Sequence, residues 1–342
     1  MSSNILIVKT SALGDIIQSL PVLEALHARF PHAHIDWAVE QSLHSIVSAH
    51  PLIHRAIPLD TKGPWRALLN QIRTLRSEHY DLLFDLQGNC KSALVTALAR
   101  AKTKVGFGLQ SAREWPNILA TNTRFNIPKE LNIRLQYLEL PRRYFRQPLP
   151  LPASSVRFNI DPDQQALVRA LLSSAATKMR IMVCPGSKWI NKQLHTATLI
   201  PFLQKIEQRF NALFYLMWGS EAEKKQCEEI QRSVNAIVVE RLSIPTWQNL
   251  MSEMHLVIAV DSSALHLCGT TRVPSFSLFG PTSQAVFKPL GDQHYALQGP
   301  CPYGRTFPKQ CPLLRTCTTG ACLRQLKEED IYDQFVNWWE KK

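Results

Sequence analysis

The chain's 342 residues, 45% hydrophobic and 19% charged, have the balance of a folded globular protein and not of a disordered one. That length allows two domains of ordinary size, each with its own core. The net charge of +12 is concentrated: residues 55–146 hold sixteen Lys and Arg against seven Asp and Glu, which favours an anionic partner. No apolar run approaches the roughly 20 residues that span a bilayer. The first residues lack a basic flank, a long apolar core and a cleavage site, so the expected location is the cytoplasm.

Short β-branched runs alternate with segments of helical period. Strands are predicted near Asn4–Lys9, His34–Val39, Arg55–Pro58, Leu82–Leu86 and Lys104–Gly106. Helices fall between them over Ile16–Phe30, Pro64–Glu78 and Lys91–Ala99. Such alternation builds βαβ units and a parallel sheet. Residues 147–163 interrupt it, with Pro148, Pro150 and Pro152 forcing an extended connector. Asp161-Pro162-Asp163 has the D-x-D form of metal-dependent sugar transfer, but it precedes the helix Gln164–Leu172 and reads as a cap.

Beyond the connector the alternation resumes. Strands are expected at Arg180–Cys184, Leu213–Trp218, Ile237–Val239, Leu256–Val260 and Ser275–Leu278. Helices are expected at Thr196–Arg209, Glu221–Ser233 and Pro245–Glu253, with a short one from Ser262 and a last one over Glu328–Glu340. The reading is two open α/β domains, 1–150 and 151–327, with a cleft between them. Residues 328–342, with Trp338 and Trp339, are expected to pack back on the first.

Four strand ends carry the candidate chemistry, since ligands in open α/β sheets bind at the carboxyl ends of strands. Lys9-Thr10-Ser11-Ala12-Leu13-Gly14-Asp15 places one carboxylate at a helix start, where it serves either as a cap or as an acid–base group. Asp261-Ser262-Ser263-Ala264-Leu265-His266 ends another strand, and the N–H groups of its helix start suit a phosphate. Asp261 as a plain N-cap is the competing reading. Ser187, Lys188 and Lys192 follow a third strand, with the lysines placed to neutralise an anionic leaving group. Gly280-Pro281-Thr282 follows a fourth. The last three loops, expected on one edge of the second domain, together fit a nucleotide diphosphate.

Other patterns are absent or weak. Gly106-Phe107-Gly108 lacks the third glycine of a dinucleotide fingerprint, and there is no G-x-S-x-G or H-E-x-x-H. Cys301, Cys311, Cys317 and Cys322 fall within 22 residues but lack the C-x2-C pairs of common zinc sites. A reduced structural loop is expected there, with a metal as the competing idea.

Taken in order, these motifs resemble the ADP-heptose:lipopolysaccharide heptosyltransferases of glycosyltransferase family nine, in particular the branch that adds the first heptose to the inner-core Kdo. The resemblance spans nearly the whole chain. Its carriers are Ile7–Asp15, Asp36-Trp37-Ala38-Val39-Glu40, Asp85-Leu86-Gln87-Gly88 with Lys91-Ser92, Ala112-Arg113-Glu114, Asp261–His266 and Gly280-Pro281-Thr282. It implies a GT-B fold of two Rossmann-like domains. It also implies inverting, metal-independent transfer without a cofactor, from ADP-heptose to Kdo-lipid A, with transient contact at the inner face of the cytoplasmic membrane.

Under that resemblance Asp15 is the general base, Lys192 meets the heptose and diphosphate, and Asp261 lies beside the heptose hydroxyls. Ser187, Lys188, Ser262, Ser263, His266, Gly280 and Thr282 hold the rest of the donor, with Glu223 on the ribose and Leu242 on adenine. Lys9, Ser11, Gly14, Gln87 and Arg113 face the acceptor, together with the basic residues Lys62, Arg66 and Arg73. Ser263 stands where the family usually has Gly, and Leu194-His195 where it has Trp-Pro. The cysteine-rich tail is nearer a second branch of the family. Transfer of another sugar, transfer to a later heptose, and a non-catalytic glycolipid-binding module remain the alternatives. Nucleic-acid binding would explain the charge but not the carboxylate-ended strands.

Overall fold

The computed structural model describes residues 3–60, 63–148, 156–173 and 178–342, and the chain divides into two units, residues 1–159 and 160–342. The first runs β1 (Asn4–Val8), α1 (Leu13–Ser19), α2 (Pro21–Arg29), β2 (His34–Glu40), α3 (His44–Ser48), β3 (Arg55–Leu59) and α4 (Trp65–Arg76). It continues with β4 (His79–Asp85), α5 (Cys90–Leu98), β5 (Arg100–Phe107), β6 (Thr123–Phe125) and α6 (Ile133–Phe145). All pairings are parallel, in the order β3-β2-β1-β4-β5-β6. Ile5 to Val8 are buried without exception, as a central strand covered on both faces must be. The helix expected over 16–30 is two helices, because Pro21 has no N–H for a continuing ladder and instead starts α2.

Four further strands flank β7 and β10 in the second unit. Its order is α7 (Pro162–Ser173), β7 (Met179–Cys184), α8 (Thr196–Phe210), β8 (Ala212–Leu216), α9 (Glu221–Gln231), β9 (Ala236–Val238), α10 (Ile244–Met251) and β10 (Leu256–Val260). Then come α11 (Ser263–Cys268), β11 (Ser275–Phe279), α12 (Gln284–Phe287), β12 (His294–Gln298), α13 (Ala321–Arg324) and α14 (Glu328–Trp339). The sheet is again parallel, β12-β11-β10-β7-β8-β9. Each unit is therefore wound in the same sense, with the strand order reversing between its first and fourth strands. That reversal parts the loops leaving those two strands and opens a crevice at their carboxyl ends.

Two expectations about boundaries are corrected. Residues 156–159 belong to the first unit: Asn159 N–H donates to Ala49 O at 2.8 Å, and Phe158 is buried beside the His50 ring. The division thus falls after 159, and not at 150; residues 149–155 of the connector lie outside the described residues. The last helix, expected on the first domain, is part of the second unit's core. Its apolar stripe buries Ile331 and Phe335, and the Phe335 ring meets Phe276 at 5.4 Å, Phe202 at 5.8 Å and Phe210 at 6.1 Å. Ion pairs Lys205–Glu328 and Arg209–Glu340 pin both ends of α14 to α8. Asp161 is a cap as read, taking the Gln164 N–H at 2.8 Å. Among the described residues no helix is long and apolar enough to cross a membrane.

Phe335→Ala removes a fully buried ring from this aromatic cluster. It should destabilise the second unit by about 3–5 kcal/mol in denaturant titration. Tyr303→Ala, at a 64% exposed position, should change stability by less than about 0.5 kcal/mol.

Candidate active site

In the first unit the crevice lies between the loops after β1 and β4, and two carboxylates stand there in different states. Asp85 is fully buried and spends its oxygens on four donors: Gln87 N at 2.9 Å, Gly88 N at 3.0 Å, Thr96 Oγ1 at 3.0 Å and Asn117 Nδ2 at 2.7 Å. Its work is to shape the loop. Gln87, so held, takes the Ser11 N–H on its Oε1 at 3.2 Å and joins the two loops. Asp15, in the first turn of α1, is only partly buried. Its Oδ2 takes the Ala12 N–H at 3.4 Å, a weak bond at that length. The cap reading of Asp15 is therefore present but slight, and the carboxylate keeps acceptor capacity for a substrate proton.

Around Asp15 the sequence-predicted Lys9 and Arg113 are joined by Tyr137, a residue that sequence reasoning missed. The buried Lys9 places its Nζ 4.9 Å from the Tyr137 ring centre, and its carbonyl accepts from Trp37 Nε1 at 3.0 Å. Burial first, and then the Asp15 carboxylate, push the Tyr137 phenol well above its ordinary range, with Arg113 opposing. Gly14 lies on the same turn as Asp15. Arg66 and Arg73 are exposed on α4, and Arg73 donates to Asn70 Oδ1 at 3.1 Å; the structure places them on that helix and not on the crevice loops. Lys62 lies outside the described residues. Asp36 serves elsewhere, binding Arg55 at 2.7 Å and Tyr80 at 2.8 Å where β3 and β4 begin.

In the second unit every residue expected on the donor side follows the carboxyl end of one of five strands, β7 to β11. Asp261 gathers three of these ends. Its Oδ2 receives Lys192 Nζ at 2.6 Å and Thr282 Oγ1 at 2.5 Å, while His266 Nε2 lies 3.7 Å from Oδ1. Burial alone would raise the Asp261 pKa, but the charges of Lys192 and His266 and the two hydrogen bonds outweigh it and hold the carboxyl below its usual range. The plain-cap reading of Asp261 fails, because Ser262 is the N-cap of α11. Ser262 Oγ is buried without a partner among the described residues, which leaves it for a ligand oxygen. Ser263 opens the helix.

Glu223 takes the N–H groups of Gly219 at 2.7 Å and Ser220 at 3.2 Å on Oε2, completing a capping box. Its carboxylate also lies over the β7 loop: a Cβ on Gly186 would meet Glu223 Cδ at 2.3 Å, so a side chain there would displace the carboxylate from its cap. Ser187 is buried, Lys188 is exposed with Nζ 5.9 Å from the Trp189 ring, and Leu242 is half-buried after β9.

The cysteine-rich stretch forms part of this half-site's wall, which its sequence did not reveal. Cys311 N donates to Pro281 O at 2.7 Å, Thr282 bridges Gln310, and Asn191 Nδ2 donates to Leu314 O at 2.7 Å. Gly280 packs against it, since an added Cβ would meet Leu323 Cγ at 2.8 Å and Cys322 Sγ at 3.0 Å. All eight cysteines are free thiols.

A model of glycosyltransferase family 9 (heptosyltransferase) matches residues 68–316. Lipopolysaccharide heptosyltransferase 1 of Pseudomonas aeruginosa is 29% identical over 326 residues, covering 92% of this chain and 87% of that protein. The structure of the E. coli heptosyltransferase WaaC with ADP-2-deoxy-2-fluoro heptose aligns with a TM-score of 0.75 at 22% identity, over 98% of this chain and 99% of that one. A glycosyl transferase family 9 protein from Veillonella parvula aligns with a TM-score of 0.84 at 15% identity, over 100% and 99%. At these identities the two structures establish the fold, which is GT-B.

Because the folded state depresses the Asp261 pKa, its ionised form stabilises the protein above about pH 4, and that contribution is lost as pH falls through the lowered value. Lys192→Met removes its nearest cation and leaves a buried carboxylate whose pKa now rises. The stability gap between wild type and variant should therefore be small near pH 3 and widen to about 3 kcal/mol at neutral pH. Urea titrations across that range measure it.

Proposed function

The chain belongs to glycosyltransferase family 9, the heptosyltransferases, and we propose that it moves L-glycero-D-manno-heptose from ADP-heptose to the Kdo of the lipopolysaccharide inner core. The kinship to lipopolysaccharide heptosyltransferases supports both substrate classes. The observation that carries the catalytic part is the contrast at the first crevice: Asp85 is saturated by donors, while Asp15 is weakly engaged and partly open.

In this reading Asp15 takes the proton of the attacking Kdo hydroxyl. The freed oxygen attacks the anomeric carbon of heptose as the bond from that carbon to the ADP oxygen breaks. One base and one displacement give inversion. Lys192, the N–H groups of Ser262 and Ser263, and His266 meet the charge growing on the departing diphosphate. An ammonium has three donors, so Lys192 can keep Asp261 and still reach phosphate. That supply of charge by the protein is the ground for proposing transfer without a metal. Asp261 faces heptose hydroxyls, with Ser187, Lys188, Gly280 and Thr282 completing the donor half-site. Glu223 Oε1 reaches the ribose, since Oε2 is spent on its cap, and Leu242 packs on adenine. Lys9, Ser11, Gly14, Gln87 and Arg113 meet the anionic acceptor, with Lys62, Arg66 and Arg73 extending the positive field. A lipid-borne acceptor puts the reaction at the inner face of the cytoplasmic membrane.

Asp15→Ala should lower kcat by at least about 100-fold, in the range expected for a lost general base, while ADP-heptose affinity stays within about twofold. Wild-type turnover in the variant would remove Asp15 from the mechanism. In a matrix of ADP-sugars against Kdo-lipid A and its heptosylated form, the product should appear with ADP-heptose and Kdo-lipid A, with the anomeric configuration inverted and rates unchanged by EDTA. Preference for the heptosylated acceptor would favour a later step of core assembly instead.

A further inference from the structure

We infer that residues 109–119, together with the face of α5 beside them, form the surface on which this protein docks to an anionic phospholipid bilayer. The inference rests on the reading above that the acceptor is lipid-borne. Leu109, Trp115 and Leu119 are 66%, 64% and 74% exposed, and Leu94 on α5 is 44% exposed. They are half of the eight large hydrophobic side chains exposed among the described residues. Isolated exposed apolar residues are ordinary, but three on one short segment mark a surface that another phase or molecule covers.

Charge identifies the occupant. Between residues 91 and 129 there are seven Lys and Arg and one acid, Glu114, although Lys102 is paired with Asp81 outside that stretch. Lys91 and Arg113 are exposed, the first one turn from Leu94 and the second two residues before Trp115. Tryptophan and leucine side chains amid cations match the boundary of a bilayer, where rings and alkyl groups enter the headgroup layer and cations meet lipid phosphates.

The segment is also held firmly enough to present those side chains outward. Glu114 N donates to Gly88 O at 3.0 Å, and Cys90 N donates to Glu114 Oε2 at 2.8 Å. Asn117, fully buried, donates through Nδ2 to Asp85 at 2.7 Å and to Asn89 O at 3.2 Å. Asp85 is the carboxylate that shapes the loop of Gln87 and Gly88, and Gln87 accepts from Ser11. A membrane seated on residues 109–119 therefore lies beside the loops that carry the proposed base, where a lipid-anchored acceptor would arrive.

The test is co-flotation of the full chain with phosphatidylcholine vesicles containing about 30% phosphatidylglycerol, compared with phosphatidylcholine alone. Wild type should partition to the anionic vesicles and be released by salt. The triple variant Leu109→Ser, Trp115→Ser, Leu119→Ser should bind at least about tenfold more weakly. Its melting temperature, and its turnover on a soluble, deacylated acceptor, should match wild type. Equal vesicle binding by the variant, or none by wild type, overturns the inference. A change of oligomeric state in the variant with vesicle binding intact overturns it too, assigning the patch to a second copy of the chain. Vesicle binding lost in the variant while wild type transfers heptose to no acceptor would support the docking surface and count against the proposed reaction.

Discussion

Two parallel sheets, each buried on both faces, constrain everything else in this molecule. A strand such as β1 or β10 has no exposed face on which to carry a polar side chain, so the chemistry is displaced to the loops beyond the strand ends. Loops left alone are imprecise. Each unit solves this with one buried carboxylate at its switch point. Asp85 gathers backbone and side-chain donors from the β4 loop, α5 and the following turn, and Asp261 gathers Lys192 and Thr282 from the loops after β7 and β11. Burying an ionisable group is costly unless it is compensated, and both are: Asp85 by four hydrogen bonds, Asp261 by an ion pair, a hydroxyl and a nearby histidine. They differ in how. Neutral donors surround Asp85, whereas a cation and a histidine flank Asp261 and hold its carboxyl below the usual range.

Most of the sheet elements were legible because strand runs and helix starts announce themselves locally. What failed was whatever depended on a distant partner. The apolar stripe of α14 shows that the helix packs on something; that its partners are Phe202, Phe210 and Phe276 is a fact about α8 and β11, far away in the chain. Strand β12 escaped notice because His294–Gln298 is short, has no β-branched residue and follows loop-like sequence, yet it pairs along its whole length with β11. Helix α6 is not among the helices expected from the sequence; it carries Pro141 inside it, Asn132 caps it, and Tyr137, Leu138 and Leu140 are buried.

The candidate site divides along the same line. Its motif residues stood at strand ends that the pattern marked out, and the structure places Lys192, Asp261 and Thr282 in the loops after β7, β10 and β11, where they meet. Tyr137 comes from α6 and Asn117 from the turn after β5, and no local pattern ties either to Asp15 or Asp85. The capping question at Asp15 could not be resolved from sequence because a cap and a base call for the same residue at the same place. The geometry shows a long capping contact, Ala12 N–H to Asp15 Oδ2 at 3.4 Å, which leaves the carboxylate with further acceptor capacity.

Under the function and docking surface proposed above, the arrangement of the first unit also bears on how a membrane-bound acceptor is handled. A lipid-anchored sugar explores a plane, so an enzyme held at that plane meets it at a far higher effective concentration than in bulk. The benefit depends on the distance from the docking surface to the reactive group staying fixed. Here that distance is set by hydrogen bonds and not by side-chain packing alone, because Asn117 and the Gln87 loop share Asp85 as acceptor. Loss of Asp85 would then loosen both the presented face and the loop that meets Ser11, whereas loss of Leu109 or Leu119 would touch only the encounter with lipid. In that proposal, recognition of the acceptor's surroundings and chemistry on its hydroxyl are separable in the sequence, though one buried carboxylate, Asp85, joins them in the fold.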